Sequence, residues 1–452
     1  MSAKRTAIKK FLTKAAVAAF WCLVWQLIYQ VINNPLYLSS PCSTFKAMIV
    51  LFPESYFWTN IGLSLLRVLL GLTIGCISGI GLAWLTNRFK WMHELFSPIL
   101  TLTKTVPVVS FIMLLWLAFF RQKGIMPVII SSLMVFPIAW TKMTDGYRTM
   151  DQKLLEMAKC YSNPLNTFLY VRLPHLFPFL ISGVSTSVGL AWKAGIAAEV
   201  ICQPLHSIGE EIYTAKGNLD TDILFAWTAV VVILSILLEA ILVKILTKIK
   251  FRPRIRISDQ YAQNGRSFPL ELNRINKTYG EHVVLKDFSY HFSNGKTIAI
   301  MGSSGCGKTT LLSIASGLIK DDDKKFEFPP TAPAIIFQEN RLIPDLTVGE
   351  NILFANRGAN LKRILKSLSL TEDVDKYPHE LSGGMQRRVA IGRAMAFDGG
   401  IGIFDEPFTG LDEDTKALCA QALFSTYKGR TVLFVTHDTE DARRYGDEIL
   451  KM

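Results

Sequence analysis

Charge is scarce in this chain. Only 19% of its 452 residues are Asp, Glu, Lys or Arg, against about a quarter in an ordinary soluble domain, and half are apolar. A chain of this length holds two or three domains, and the deficit of charge places part of it in lipid. Paired cysteines are missing as well. Cys22, Cys42, Cys76, Cys160, Cys202, Cys306 and Cys419 lie scattered, with no CxxC, which excludes a disulfide framework and a zinc site. There is no internal repeat and no low-complexity tract. The basic N-terminus lacks a small-residue cleavage site after its apolar run, so that run is expected to be a retained first helix, not a leader. Acidic residues are outnumbered, 37 against 49 basic, for a net charge of +12. The cations gather at the ends of apolar runs, which favours a membrane protein with a positive-inside bias over a nucleic-acid binder.

What is present divides near residue 250. Before it lie long apolar stretches; after it, short β-branched runs alternate with amphipathic helices, the pattern of a soluble α/β domain. A spanning helix needs about 20 mostly apolar residues. Six candidates are expected: 15–32, 61–85, 95–120, 126–140, 176–201 and 223–246. The fourth is short and contains Pro137, and the third carries Lys104 and Pro107, which predict a kink. With six spans, four basic segments fall on one side: Lys4, Arg5, Lys9, Lys10 and Lys14; Arg88 and Lys90; Lys142, Arg148, Lys153, Lys159 and Arg172; and Lys248, Lys250, Arg252, Arg254 and Arg256. That side is expected to be cytoplasmic. Only Arg121 and Lys123 dissent. Residues 249–267 read as a linker, with Arg252-Pro253-Arg254 and the turn Gln263-Asn264-Gly265.

In the C-terminal part, Gly302-Ser303-Ser304-Gly305-Cys306-Gly307-Lys308-Thr309 fits GxxxxGK[ST]. It follows the strand-like Thr297–Ile300 and precedes a helix-like run from Thr310, the context that this phosphate-binding loop requires. Its glycines let backbone N–H groups curl around phosphate oxygens, and the helix N-terminus adds a favourable dipole. Lys308 supplies a cation for the β- and γ-phosphates, Thr309 a hydroxyl for Mg²⁺, and Thr310 is counted with the cradle. Further on, Ile401–Phe404 reads as a buried strand ending in Asp405-Glu406. Asp405 suits Mg²⁺ and Glu406 suits polarisation of an attacking water. Taken alone, such a pair is more often a solvated turn; the phosphate loop gives it weight.

Leu381-Ser382-Gly383-Gly384-Met385-Gln386 is similar to the LSGGQ signature of ABC-type ATPases, with Met385 before the glutamine. The phosphate loop, this signature and the acidic pair stand in that family's order, and the resemblance covers about residues 268–452. It implies further roles: Gln338 as the glutamine of the loop that senses Mg²⁺ and water, Asp412 in the D-loop, His437 as the switch histidine at the γ-phosphate, and Tyr279 as the aromatic that stacks on adenine. Ser382, Gly383 and Gly384 would contact ATP held by a second subunit, so the ATPase would act as a dimer. The stretch from Thr310 to Gln338 is short for the family, and no further C-terminal regulatory domain is expected.

Leu155-Glu156-Met157-Ala158 with Leu173-Pro174 resembles the EAA loop of bacterial ABC importers, although Met157, Ser162 and Val171 depart from it. An apolar face of Leu154, Leu155, Ala158, Leu165, Phe168 and Leu169 predicts either an ordinary interfacial helix or, as the resemblance favours, a coupling helix docked beside Gln338. The wider permease resembles the nitrate/sulfonate/taurine importer family, on Ser64–Gly71, the Pro107 region and Ala197-Ala198-Glu199. Arg341–Asn351 adds to this, with Asp345 in place of the usual tryptophan. The expected architecture is therefore an all-α transmembrane bundle of six helices, like a type I ABC importer, followed by an α/β P-loop ABC ATPase. The expected domains are 1–248, a linker 249–267, and 268–452. The resemblance implies ATP-driven import of a small solute, such as nitrate, sulfonate, bicarbonate or a thiamine-type pyrimidine precursor. It implies ATP and Mg²⁺ as cofactors, a homodimer, a separate extracytoplasmic substrate-binding protein, no nucleic acid, and a multi-pass plasma (inner) membrane location with the N-terminus and ATPase in the cytoplasm. An exporter half and a membrane-anchored regulatory ATPase are the alternatives. Lys193 and Glu199, both within the fifth candidate span, are expected either to line an aqueous path or to be paired structurally; six residues apart, they do not share a helix face.

Overall fold

The computed structural model describes residues 2–119, 122–249, 251–255, 267–303, 305–324, 326, 332–397 and 399–452; the side chains of 2–12, 14, 15, 18 and 104 are also outside the description. The side chains of Lys4, Arg5, Lys9, Lys10, Lys14 and Lys104, and residues Arg121, Lys250, Arg256, Ser304 and Gln263-Asn264-Gly265, thus lie outside the described residues. Contacts divide the chain into two units: Met1–Thr149 with Leu176–Lys250, and Met150–His175 with Phe251–Met452.

The first unit is helical. It contains α1 (Ser2–Ile32), α2 (Pro41–Leu51), α3 (Ser55–Arg88), α4 (Lys90–Thr105), α5 (Val108–Ala118) and α6 (Met126–Arg148). The chain then contributes α7 (Gln152–Tyr161), α8 (Pro164–Thr167) and a π-helical turn, Phe168–Arg172, to the second unit. It returns through α9 (Leu173–Cys202), α10 (Ile208–Gly217) and α11 (Thr221–Lys248). Among the described residues, four helices are long and apolar enough to cross a membrane: Ser55–Arg88, Lys123–Arg148, Pro164–Cys202 and Thr221–Lys248. The count of six is corrected at one point. The third candidate is a pair of helices bent by 104°, a fifth span only if the pair is taken as one. The bend falls at Val106-Pro107, where Val106 is extended (φ −79°, ψ 130°), because a proline disfavours helical backbone in the residue before it. The first candidate lies within α1, a helix of 31 residues whose apolar part among the described residues is Ala19–Ile32. The fourth candidate is longer than expected, since α6 runs through Pro137 without a break.

Packing in this unit depends on small residues. A Cβ on Gly71, Gly75 or Gly79 of α3 would lie 2.7 Å from the carbonyl oxygens of Val128, Ser132 and Phe136 of α6. Spaced by four, these glycines form one face and let the two helix backbones touch. Trp192 of α9 and Trp227 of α11 fill the core beside Phe57 and Val68, and Trp192 Nε1 donates to Val231 O at 3.1 Å.

The second unit is built on β3 to β7 with a separate antiparallel ribbon. The ribbon is β1 (Leu270–Tyr279) paired with β2 (His282–Phe292). The five-stranded sheet comprises β3 (Thr297–Met301), β4 (Ala334–Ile336), β5 (Ile401–Asp405), β6 (Thr431–Val435) and β7 (Glu448–Lys451). Its order is β4-β5-β6-β3-β7 and every pairing is parallel. β5 and β6 are buried along their whole length, as continuous apolar runs in a helix-covered parallel sheet must be. The helices are α12 (Lys308–Ala315), α13 (Val348–Leu353), α14 (Leu361–Ser367), α15 (Gly383–Phe397), α16 (Glu413–Thr426) and α17 (Thr439–Tyr445). Because β3, β6 and β5 are neighbours, the loops leaving their C-terminal ends stand side by side, where open α/β sheets carry their ligands.

Candidate functional site

The loop between β3 and α12 is shaped by glycine. Gly305 (φ 83°) and Gly307 (φ 102°) take left-handed backbone that other residues rarely adopt. A Cβ on Gly302 would lie 2.7 Å from Cys306 Sγ and 2.9 Å from Met452 O. Lys308, the first residue of α12, is buried, and its Nζ donates to Gly302 O (2.9 Å) and Ser303 O (2.8 Å). The ammonium is thus folded back into its own loop. Thr309 Oγ1 donates to Asp405 Oδ2 at 3.0 Å across the β3–β5 gap, and Thr310 follows, half-buried. Burial pushes the Asp405 carboxyl above its ordinary range; the Thr309 bond opposes this, Glu406 repels, and Arg387 and Lys308 pull it down. Gln338, exposed just after β4, lines one cavity of 210 Å³ with Thr309, Asp405, Glu156 and Arg341.

Glu406 sits one residue past β5 in left-handed backbone, φ 46°, strain that a non-glycine residue tolerates only when its surroundings enforce it. One carboxylate oxygen lies 2.9 Å from His437 Nε2, and the other accepts from Thr409 Oγ1 at 3.1 Å. His437 follows β6, and its loop is fixed by Asp438, which caps α17 and pairs with Lys416 of α16 at 2.8 Å. Tyr279 ends β1 with its ring half exposed and Lys277 Nζ 5.6 Å from the ring centroid.

Two family descriptions match the chain: "Binding-protein-dependent transport system inner membrane component" over residues 71–256, and "ABC transporter" over 285–409. An aliphatic sulfonates import ATP-binding protein, SsuB 3, of Paraburkholderia xenovorans (strain LB400) is 34% identical over 197 residues, which is 42% of this chain and 78% of that protein. The chain belongs to the ABC transporter family. It joins an importer-type permease and an ATP-binding cassette in one polypeptide. An Fe(3+) ions import ATP-binding protein, FbpC 2, of Haemophilus influenzae (strain ATCC 51907 / DSM 11121 / KW20 / Rd) is 33% identical over 205 residues, 40% of this chain, and the chain spans only 58% of that relative's length. A solved dimer of the ATP-binding cassette MJ0796, bound to ADP and Pi, is 31% identical over 41% of this chain and 94% of that one, with a TM-score of 0.37.

In this ABC transporter the signature residues stand apart from the phosphate loop. Ser382 and Gly383 are exposed at the start of α15, and Ser382 Oγ accepts from Met385 N at 3.3 Å. Gly384 lies against the D-loop: a Cβ there would be 3.4 Å from Gly410 O. Asp412 caps α16 by accepting from Thr415 N at 3.0 Å, and that bond holds its carboxyl below the ordinary range. Among the described residues, no hydrogen bond or ion pair joins Ser382, Gly383, Gly384 or Asp412 to the phosphate loop of the same chain.

The EAA-like segment is part of the ATP-binding unit. Arg341 NH1 lies 3.1 Å from Glu156 Oε2 and donates to Lys153 O at 3.3 Å, and Lys153 Nζ lies 2.5 Å from Glu339 Oε1. Tyr161 OH donates to Ile335 O and accepts from Ile335 N, so a permease-side tyrosine closes the free edge of β4. Arg357 NH2 reaches Asn166 Oδ1 (2.9 Å) and Tyr170 OH (3.1 Å). The expected apolar face needs correction. Leu165 and Phe168 are exposed, and the buried set is Leu155, Met157, Ala158, Tyr161, Thr167 and Val171, because the helix breaks at Ser162 and resumes as α8 with a new phase.

Glu199 and Lys193 part ways. Glu199 is fully buried and accepts from Ser64 Oγ (2.7 Å), Gly209 N (3.3 Å) and Arg67 NH1 (3.4 Å). Lys193 is exposed. Sequence reasoning missed Tyr161 and Arg387, and it used Arg341 only as the start of the Arg341–Asn351 run, not as a partner of Glu156. Glu156 in a short amphipathic helix was a signal for a cationic partner, but nothing in one dimension pointed to Arg341.

Proposed function

We propose that this chain is one half of an ATP-driven importer, with a permease at 1–248, a linker at 249–267 and an ATPase at 268–452, and that two copies work as a homodimer with a separate extracytoplasmic substrate-binding protein. The cargo is a small solute, an anion such as nitrate, sulfonate or bicarbonate, or a thiamine-type pyrimidine precursor; the sulfonate-import relative supports the anionic class. The protein resides in the plasma (inner) membrane, with the N-terminus and ATPase in the cytoplasm. One observation carries the importer reading: residues 152–172 pack beside the glutamine loop through Glu156–Arg341, Lys153–Glu339 and Tyr161–Ile335. Movement at Gln338 therefore reaches the EAA-like segment through direct contacts, which a regulator without cargo would not need.

ATP would sit with its adenine on Tyr279 and its phosphates in the loop of Gly302, Ser303, Ser304, Gly305, Cys306, Gly307, Lys308, Thr309 and Thr310. Lys308 would exchange its two carbonyl partners for phosphate oxygens. A divalent cation fits the donors present. The Thr309 hydroxyl and the Asp405 carboxylate converge at 3.0 Å, Gln338 opens into the same cavity, and the buried Asp405 charge is only partly compensated. Mg²⁺ takes such hard oxygens, usually with few protein ligands, and when bound it neutralises charge on the phosphates. Glu406 would accept a proton from the attacking water, and His437 would hold the Glu406 carboxylate while reaching toward the γ-phosphate. Ser382, Gly383, Gly384 and Asp412 would complete the site of the second copy.

The test is Glu406→Gln. ATP binding is expected to persist while hydrolysis and solute uptake fall by about 10²-fold or more, the scale of losing a positioned general base. Normal uptake by cells carrying this variant would remove the transport role from this site. Stimulation of the ATPase in liposomes by hydrophobic drugs, and not by a loaded binding protein, would replace the importer with an exporter half.

A further inference from the structure

Arg387 lies in the fifth position of α15, four residues after Gly383, and is 2% exposed. Its guanidinium has no carboxylate within ion-pair distance among the described residues. Instead it is spent on main-chain oxygens of two loops. Nε donates to Pro407 O (2.9 Å), and NH2 to Asp405 O (2.9 Å) and Glu406 O (2.6 Å). NH1 donates to Phe337 O (2.6 Å) and Gln338 O (3.2 Å), with Asn340 Oδ1 at 3.4 Å. The neighbouring Arg388 turns away to Leu368 O and Ser369 O.

A buried guanidinium is costly unless each donor is used. Here its planar fork spans the loop that carries Gln338 and the loop that carries Glu406, and a point-like ammonium could not serve both. It also grips the carbonyl of Glu406 itself, the residue in left-handed backbone. Residues four apart share a helix face, so the same face of α15 presents Gly383 at its start and Arg387 one turn on.

We propose that Arg387 is a positioning residue for ATP hydrolysis: it clamps the glutamine loop and the acidic-pair loop in register and makes that register follow the helix that begins at the signature. Engagement of the signature by nucleotide of a second copy would then be felt at Gln338 and Glu406 of the first. The inference rests on the functional reading given above for Glu406.

The test uses the full-length chain in lipid nanodiscs, with ATP itself as the probe, measuring hydrolysis, ATP affinity and thermal melting for wild type, Glu406→Gln, Arg387→Gln and Arg387→Lys. For Arg387→Gln, kcat is expected to fall by about 10- to 100-fold, the scale of a misplaced reacting group, with the Kd for ATP within about threefold. Arg387→Lys, which reaches one loop but not both, is expected to recover part of kcat. If Arg387→Gln does not fold, Arg387→Lys decides alone, by lowered kcat at unchanged Kd. Wild-type kcat in either variant overturns the proposal, as does parallel loss of kcat, ATP affinity and melting temperature in both variants, the behaviour of an arginine that only supports the fold. Wild-type protein without ATPase activity, or an Arg387-dependent ATPase indifferent to Glu406→Gln, would instead overturn the functional reading.

Discussion

Each of the two units holds a buried charge surrounded by hydrogen-bond partners, Glu199 in one and Arg387 in the other, but to different ends. In the helical unit the carboxylate of Glu199 gathers Ser64, Arg67 and the backbone of Gly209. Arg67 extends the cluster to Leu205 O and His206 O, bracing a turn in which Gln203 and His206 are left-handed. That charge is locked, and it fixes where α9 ends and α10 begins. In the ATP-binding unit the cation of Arg387 gathers backbone carbonyls from loops that carry the candidate chemistry. The difference teaches that a buried charge is not by itself a sign of function. What its partners are attached to decides the matter: helix ends in one case, reacting groups in the other.

The comparison is broken most severely at Glu199. Glu199→Ala leaves Ser64, Gly209 N and the half-buried Arg67 without their shared carboxylate and is expected to destabilise the helical unit by about 3 kcal/mol, read as loss of melting temperature in detergent. Glu199→Gln, which keeps acceptors for Ser64 and Gly209, should lose far less. If Glu199→Ala melts as wild type but loses uptake, the residue belongs to a pathway and the contrast with Arg387 fails. A middle-sized effect is expected at Tyr161. Tyr161→Phe removes the hydroxyl that both donates to and accepts from Ile335. Leaving those buried backbone groups without a partner costs about 1–3 kcal/mol. The measurement is protease resistance of the 150–175 segment, together with the ratio of ATP hydrolysed to solute moved, which should rise. An unchanged ratio would mean that the tyrosine is no part of the coupling. The smallest effect is expected at Thr347, whose side chain and that of Glu350 form a capping box at the start of α13. Thr347→Ala should cost about 1 kcal/mol in denaturant melting and leave kcat unaltered, which sharpens the distinction between a residue that caps a helix and one, like Arg387, that joins two loops.

Much of the ATP-binding unit was legible because its chemistry is local. A phosphate loop has to be contiguous, so Gly302–Thr309 appeared whole, and strands buried on both faces left β5 and β6 as continuous apolar runs. The phosphate loop, Asp405-Glu406 and His437 lie at the ends of the neighbouring strands β3, β5 and β6. The helical unit was less legible. A sliding apolar window reports length and composition, so it counted six spans; Pro107 signalled a kink in the third, but not that its two halves would turn by 104°. It also could not distinguish Lys193 from Glu199, since both are ionisable groups in apolar sequence.

By itself, then, the sequence determined which backbone segments could cradle phosphate, which could form buried strands and which could lie in lipid, because those properties depend on neighbours a few residues apart. Tertiary structure alone decided that Glu199 faces Ser64 and Gly209, that Tyr161 caps the edge of β4 and that Arg387 spans two loops. Each of these pairings joins residues between 10 and 174 positions apart, and hydrogen-bond geometry across such distances is set by how helices and sheet pack, which no local pattern encodes.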